Sequence, residues 1–183
     1  MTEEYPWYEL VNSEFLQQGD LIDSCPIAIP DSTINENAEV NFKVREFNIV
    51  IISQSCDLVI RRNGKPKLEF VVVCPIWSLD DFVETYPDYN SVERKEQLRR
   101  GYQPAFYLLN KCEIDGFSRD FLVVDFRQII SIPFNSLIDT ISKKDRRLRL
   151  KIPYREHLSQ AFARYFMRVG LPSNIPEFKK RPS

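Results

Sequence analysis

The chain has 183 residues, 43% hydrophobic and 28% charged, a globular balance far from disorder that needs neither disulfide nor metal to close a core. The formal net charge of -1 and pI of about 6.0 exclude a global field that recruits polyanions, so any nucleic-acid surface has to be a local patch. The opening Met-Thr-Glu-Glu-Tyr-Pro is acidic and proline-broken, and the apolar runs at 49–52 and 70–77 are too short for a bilayer; the expectation is one cytoplasmic domain over 1–183, with no membrane contact.

In chain order, residues 1–18 suggest an extended arm anchored by Tyr5, Trp7, Tyr8 and Phe15. Gly19-Asp20 then turns into a strand beginning at Leu21. The polar stretch 28–46 predicts a long loop. Phe47–Ser53 and Leu68–Ile76 predict two buried antiparallel strands joined around Asn63-Gly64. Ser78 suits the N-cap of a helix that Pro87 stops, and 90–100 predicts a charged helix ending at Gly101; together 78–103 form a helical insertion. Strands are expected at 105–112, 121–125 and 128–132, the first two joined by a turn at Asp115-Gly116, with a short helix at 134–142. The clearest element is 154–169, where Leu158, Phe162, Tyr165, Phe166 and Val169 make one apolar helical face between Pro153 and Gly170.

Three sets of residues carry candidate chemistry. Gln54, Ser55, Cys56 and Asp57 follow a buried strand directly, where loops present functional groups. Lys143, Lys144, Arg146 and Arg147 crowd together with Arg149 and Lys151, and Arg99 and Arg100 sit beside Arg94 and Lys95; both clusters suit a phosphate backbone, with Tyr102, Tyr107 and Tyr154 available to stack on bases. The alternative for both is a solvated loop and a charged helix face. Cys25, Cys56, Cys74 and Cys112 have no close pair, so they are expected to be reduced thiols rather than zinc ligands, and no cofactor is expected.

Gly19-Asp20-Leu21-Ile22, Ile49-Val-Ile-Ile-Ser53, Val71-Val-Val-Cys-Pro75 and the run Phe121–Ile132 containing Asp125 and Gln128 occur in that order. The ordered set resembles the PemK/MazF-like toxin family, an SH3-like barrel whose members are dimeric ribonucleases. The resemblance spans roughly residues 17–133. It implies a mostly β (α+β) fold: an SH3-like PemK/MazF-type barrel over 17–133 with the helical insertion 78–103, then a helical extension at 134–170 with an amphipathic C-terminal helix, and a tail at 171–183. The place of the family's catalytic arginine is occupied by Phe47, with the nearest arginine at Arg45, and the place of its catalytic threonine by Trp77. RNA cleavage needs a cation for the phosphate charge and a group that handles the 2′-hydroxyl proton. What the resemblance implies is therefore a toxin-like domain with an RNA- or partner-binding surface and an altered or absent ribonuclease centre. Its partners would be RNA, a partner protein or a second copy. Its claim on RNA depends on a closed barrel with Gln54 to Asp57 at the rim. Two other readings stand beside it: a non-catalytic interaction module, and a cysteine-dependent enzyme in which His157, the one histidine, activates Cys56.

Overall fold

Ile49, Val50, Ile51 and Ile52 are all buried, and the pleat sends them alternately to opposite faces of one sheet. A strand covered on both faces must be continuously apolar, and this run is. The structure, a computed structural model, describes residues 6–30, 41–114 and 116–167. In chain order these form β1 (Tyr8–Val11), β2 (Asp20–Pro30), β3 (Phe42–Ile51), β4 (Phe70–Ser78), α1 (Leu79–Thr85), α2 (Val92–Arg99), β5 (Phe106–Leu109), β6 (Cys112–Ile114), β7 (Phe117–Arg119), β8 (Leu122–Asp125), β9 (Ile130–Pro133), α3 (Phe134–Ser142), β10 (Arg147–Leu150) and α4 (Tyr154–Phe166).

The fold is a sheet-rich mixture of strands and helices. The main sheet runs β1-β10-β2-β3-β4-β8-β5, all antiparallel. β9 pairs with the first half of β4, and β6–β7 form a separate hairpin. Among the described residues no ladder joins β5 to β1, so the hydrogen-bonded path is open at those edges. Tyr8 Oη reaches towards the far edge and donates to the carbonyl of Asn110 at 2.7 Å.

Helices cover both faces. On one face Val50, Ile52, Cys74, Val124 and Phe126 pack with Leu158 of α4, and Phe162 and Tyr165 border them. On the other, Ile49, Ile51, Val71 and Val73 meet Phe134, Leu137 and Ile141 of α3. A third cluster seats α1 and α2 on β5 and β8 through Phe82, Leu98, Phe106 and Val123. Burying Leu158 alone contributes about 2 kcal/mol. Gly19 makes the close approach at one end possible. Its φ of +81° is unfavourable for other residues, and a Cβ there would lie 3.0 Å from that of Leu150.

Three segments differ from the expectation. The predicted loop 28–46 is largely a hairpin arm, since β2 runs to Pro30 and β3 starts at Phe42; residues 31–40 lie outside the described ones. Cys25, Ile27 and Ile29 alternate with Pro26, Ala28 and Pro30, a period of two that the prolines mask and that this half of β2 tolerates because β10 pairs only with Asp20 and Leu21. The β6–β7 hairpin interrupts what looked like one turn between β5 and β8. Finally, the basic run contains a strand. Arg147-Leu-Arg-Leu150 forms β10 between β1 and β2, with Leu148 and Leu150 in the core.

Arg147 and Arg149 point the other way, onto a fully buried carboxylate. Arg147 Nε donates to Asp20 Oδ2 at 2.9 Å, Arg149 Nη2 donates to the same oxygen at 3.0 Å, and Arg149 Nε donates to Oδ1. Arg147 also donates to the carbonyls of Ser13 (2.7 Å) and Phe15 (2.6 Å). The expectation that Arg147 contacts nucleic acid is therefore corrected: its donors are spent inside the protein. Of that cluster, Lys143 and Arg146 are exposed and Lys144 is half-buried.

Removing Asp20 strands two buried guanidiniums. Asp20→Ala is expected to destabilise by about 3–5 kcal/mol, against under about 0.5 kcal/mol for Lys143→Glu on the surface, as read from urea midpoints. A second test is alkaline. Burial raises the thiols of Cys25, Cys74 and Cys112, Cys74 to about 12 from 9.0, and raises Tyr107 to about 12 from 10.0. The folded state holds these protons more tightly than the unfolded one. Their stabilisation is complete below about pH 9 and is lost as pH rises towards 12, so the urea midpoint should fall across that window.

Candidate functional site

The loop after β3 is tied down rather than open. The amides of Ile52 and Ser53 both donate to the carbonyl of Val72, and Ser53 Oγ accepts from the Val72 amide at 2.9 Å. Gln18 Nε2 donates to the carbonyl of Ile52 at 2.7 Å, and the Gln18 amide donates to Ser55 Oγ at 3.1 Å. Ser55–Asp57 is a single 3-10 turn, and Asp57 pairs with Lys67 at 2.5 Å. Gln54 and Cys56 are exposed, whereas Ser55 and Asp57 are half-buried.

Cys56 and His157 are not brought together. The Cys56 thiol lies 3.8 Å from Gln54 Oε1, and no hydrogen bond links it to His157 among the described residues. His157 sits on α4 against the Tyr154 ring and lines a different cleft. A thiol without a base lacks the activation that nucleophilic catalysis requires.

The cleft that His157 lines is the basic one. Arg99 and Arg100 close α2 at Gly101, and opposite them His157, Gln160, Ala161 and Arg164 project from α4 at steps of three and four. Phe106 and Tyr107 of β5 complete a space of about 280 Å³. Glu96, one turn earlier on α2, fixes the two arginines. Arg99 grips its carboxylate through two 2.7 Å bonds, and Arg100 Nε adds a third at 2.7 Å. These bonds pull the Glu96 carboxyl down to about 2, so it stays ionised and holds both guanidiniums at the rim. Sequence reasoning missed Gln160 and Arg164 as partners of Arg99. The signal was there: a polar stripe at 157, 160 and 164 flanking the apolar face of α4.

A second cleft, of about 260 Å³, lies between β3 and β4. The β3–β4 ladder ends at Ile49 and Pro75, and beyond that end Phe47 and Trp77 both line the cleft. The two positions singled out by the family resemblance thus share one cleft. Glu46, Asn48, Ser78 and Asp81 line it as well; its lining holds two carboxylates and no cation. Asn48 is held by a bulge in β2, where Ser24 takes a left-handed conformation and its amide donates to Asn48 Oδ1 at 3.0 Å. Ser78 caps α1, accepting from the Asp81 amide at 3.1 Å and donating to Asp81 Oδ2 at 2.6 Å. Trp77 Nε1 is buried and has no hydrogen-bond partner among the described residues. Among those residues no group of three or more His, Cys, Asp or Glu could hold a metal ion, and no helix is long and apolar enough to cross a membrane.

Compared with protein-family models, curated proteins and solved structures, the chain matches none.

With Cys25, Cys74 and Cys112 buried and their thiols raised, one thiol of the four should react with a maleimide at pH 7.5 in the native protein. Mass mapping should place the label on Cys56, and the other three should react only in denaturant.

Proposed function

We propose that this chain is an RNA-contacting domain without a ribonuclease centre, on a PemK/MazF-type, SH3-like scaffold whose ladder is left open between β1 and β5. The open path does not carry the expected claim on RNA through a closed barrel with Gln54 to Asp57 at its rim; the present reading stands on other residues. It rests on the α2–α4 cleft, which three arginines, a histidine and Tyr107 line. Guanidiniums held at a rim suit phosphate oxygens, and an aromatic wall suits an unpaired base, which together favour single-stranded RNA over duplex. Lys143, Lys144 and Arg146 supply further surface charge at the entry to β10.

The absence of cleavage follows from Phe47 and Trp77. Neither stabilises charge on a scissile phosphate or accepts a 2′-hydroxyl proton, and Glu46 and Asp81 beside them repel a phosphate.

Fluorescence anisotropy with a labelled mixed-sequence single-stranded RNA tests the reading. If Arg99, Arg100 and Arg164 each engage a phosphate, the slope of log affinity on log salt is about -2, an approximately twentyfold loss between 50 and 200 mM. Arg99→Glu with Arg164→Glu should weaken binding by more than about tenfold at low salt. Glu96→Gln should strengthen it, because the competing carboxylate is gone. The bound RNA should remain intact on a denaturing gel. Undetectable affinity at low salt, or affinity indifferent to these changes, sinks the reading.

A further inference from the structure

β3 has a neighbour on each side only over Ile49, Val50 and Ile51, and its ladder with β4 stops where Pro75 has no N–H to continue it. From Phe42 to Phe47 it is bonded on one side alone, to β2. Backbone groups of an antiparallel strand point alternately to either side. Alternate residues of this stretch therefore present N–H and C=O to an edge that is open among the described residues. The other edge of the same arm is guarded: Pro26 and Pro30 of β2 lack the donor, and the bulge at Ser24 breaks the line.

We propose that the β3 edge from Phe42 to Phe47 is a docking site where an extended segment of a partner protein, alternating apolar and acidic residues, adds as a further strand. The side chains along the edge fix that chemistry. Phe42 and Val44 share one face with their cross-strand partners Pro30 and Ala28, and stand 60% and 68% exposed. An added strand lays alternate side chains beside them, and apolar ones would take this surface out of water. Arg45 lies on the other face, opposite Ile27; it is exposed and has no ion pair among the described residues. Lys43 shares that face. Carboxylates on the intervening residues of the added strand complement it.

Other occupants answer less of this edge. A second copy in two-fold antiparallel pairing centred on Val44 sets Arg45 against Lys43, and one centred on Arg45 sets that residue against itself; like charges directly opposite destabilise a sheet. RNA would answer Arg45 and leave Phe42 and Val44 in water. The arm is also held before a partner arrives, since Cys25 and Ile27 on its covered face are buried with Leu137 and Ile141 of α3. That limits the entropy lost on binding.

The inference is independent of the RNA reading and is tested apart from it. The probe is the amidated peptide acetyl-Thr-Val-Thr-Glu-Val-Glu-Val. Run antiparallel to β3, it sets its glutamates beside Arg45 and Lys43 and its last two valines beside Val44 and Phe42. Titrated into the full chain labelled with nitrogen-15, it should shift the backbone amide signals of residues 42–47 saturably below about 1 mM. N-methylating one alternate set of its residues should abolish binding, and methylating the other set should change it by less than about threefold, because an edge strand bonds through one set only. Arg45→Glu, at an exposed position, should weaken binding by about fivefold and admit a peptide with lysines in place of the glutamates. Arg99→Glu with Arg164→Glu should leave the peptide response intact. Absence of shifts at 42–47, equal sensitivity to the two methylated peptides, indifference to Arg45→Glu, or displacement of the peptide by single-stranded RNA overturns the inference. So does a shift of the same signals on raising the protein concentration alone, which gives the edge to a second copy.

Discussion

One buried carboxylate organises this molecule. Asp20 is removed from solvent at the start of β2 and accepts from two arginines of β10 as well as from the Gln17 amide at 3.0 Å. A lone buried carboxylate is costly, and two lone buried guanidiniums are costlier still, so each group is tolerable only because the others are present. The remaining arginine donors go to the carbonyls of Ser13 and Phe15, which pins the chain between β1 and β2. This polar knot holds a strand from the far end of the sequence between two near its beginning. It thereby sets where α4, four residues after β10, can lie. The basic cleft exists because α4 lies there.

The insertion 78–103 does more than cross between strands. Its first helix contributes Ser78 and Asp81 to one cleft, and its second ends in Arg99 and Arg100 at the other. What seats both is an aromatic cluster in which Phe82 meets Tyr86, Tyr89 and Phe106 at centroid distances of 4.8 to 5.1 Å. Arg127 lies over Tyr86 and Phe106 while its guanidinium is held by the buried Asp125. That pair links the β8–β9 corner to the insertion, so the geometry of both clefts depends on packing around Phe106.

Much of the fold was legible in the sequence. Continuous apolar runs marked β3 and β4, Ser78 and Gly101 marked the limits of the insertion's helices, and the boundaries of α3 were read to the residue. What failed did so for identifiable reasons. The alternation of Arg-Leu-Arg-Leu was outweighed by the density of charge around it, because a run of cations is normally solvated and the partner that buries this one is more than 120 residues away. Proline hid the period of two in β2. For the sites, Arg99 and Arg100 were legible as a cluster and the polar stripe at 157, 160 and 164 as a face of α4, but that the two meet depends on how α4 packs. Cys56 looked chemical because it followed a strand and stood beside an acid; the structure gives that acid to Lys67 instead.

Phe47 and Trp77 raise a different question, because the family resemblance would put an arginine and a threonine there. Both line one cleft with Glu46 and Asp81, and that lining holds two carboxylates and no cation. Net charge conceals this, since a chain at -1 can hold a basic cleft on one side of an insertion and an acidic, aromatic one on the other. The sign of the local field follows from which side chains the β3–β4 register sets opposite one another. Shifting that register by one residue would turn every side chain of one strand to the other face and dissolve the lining that Phe47 and Trp77 now share.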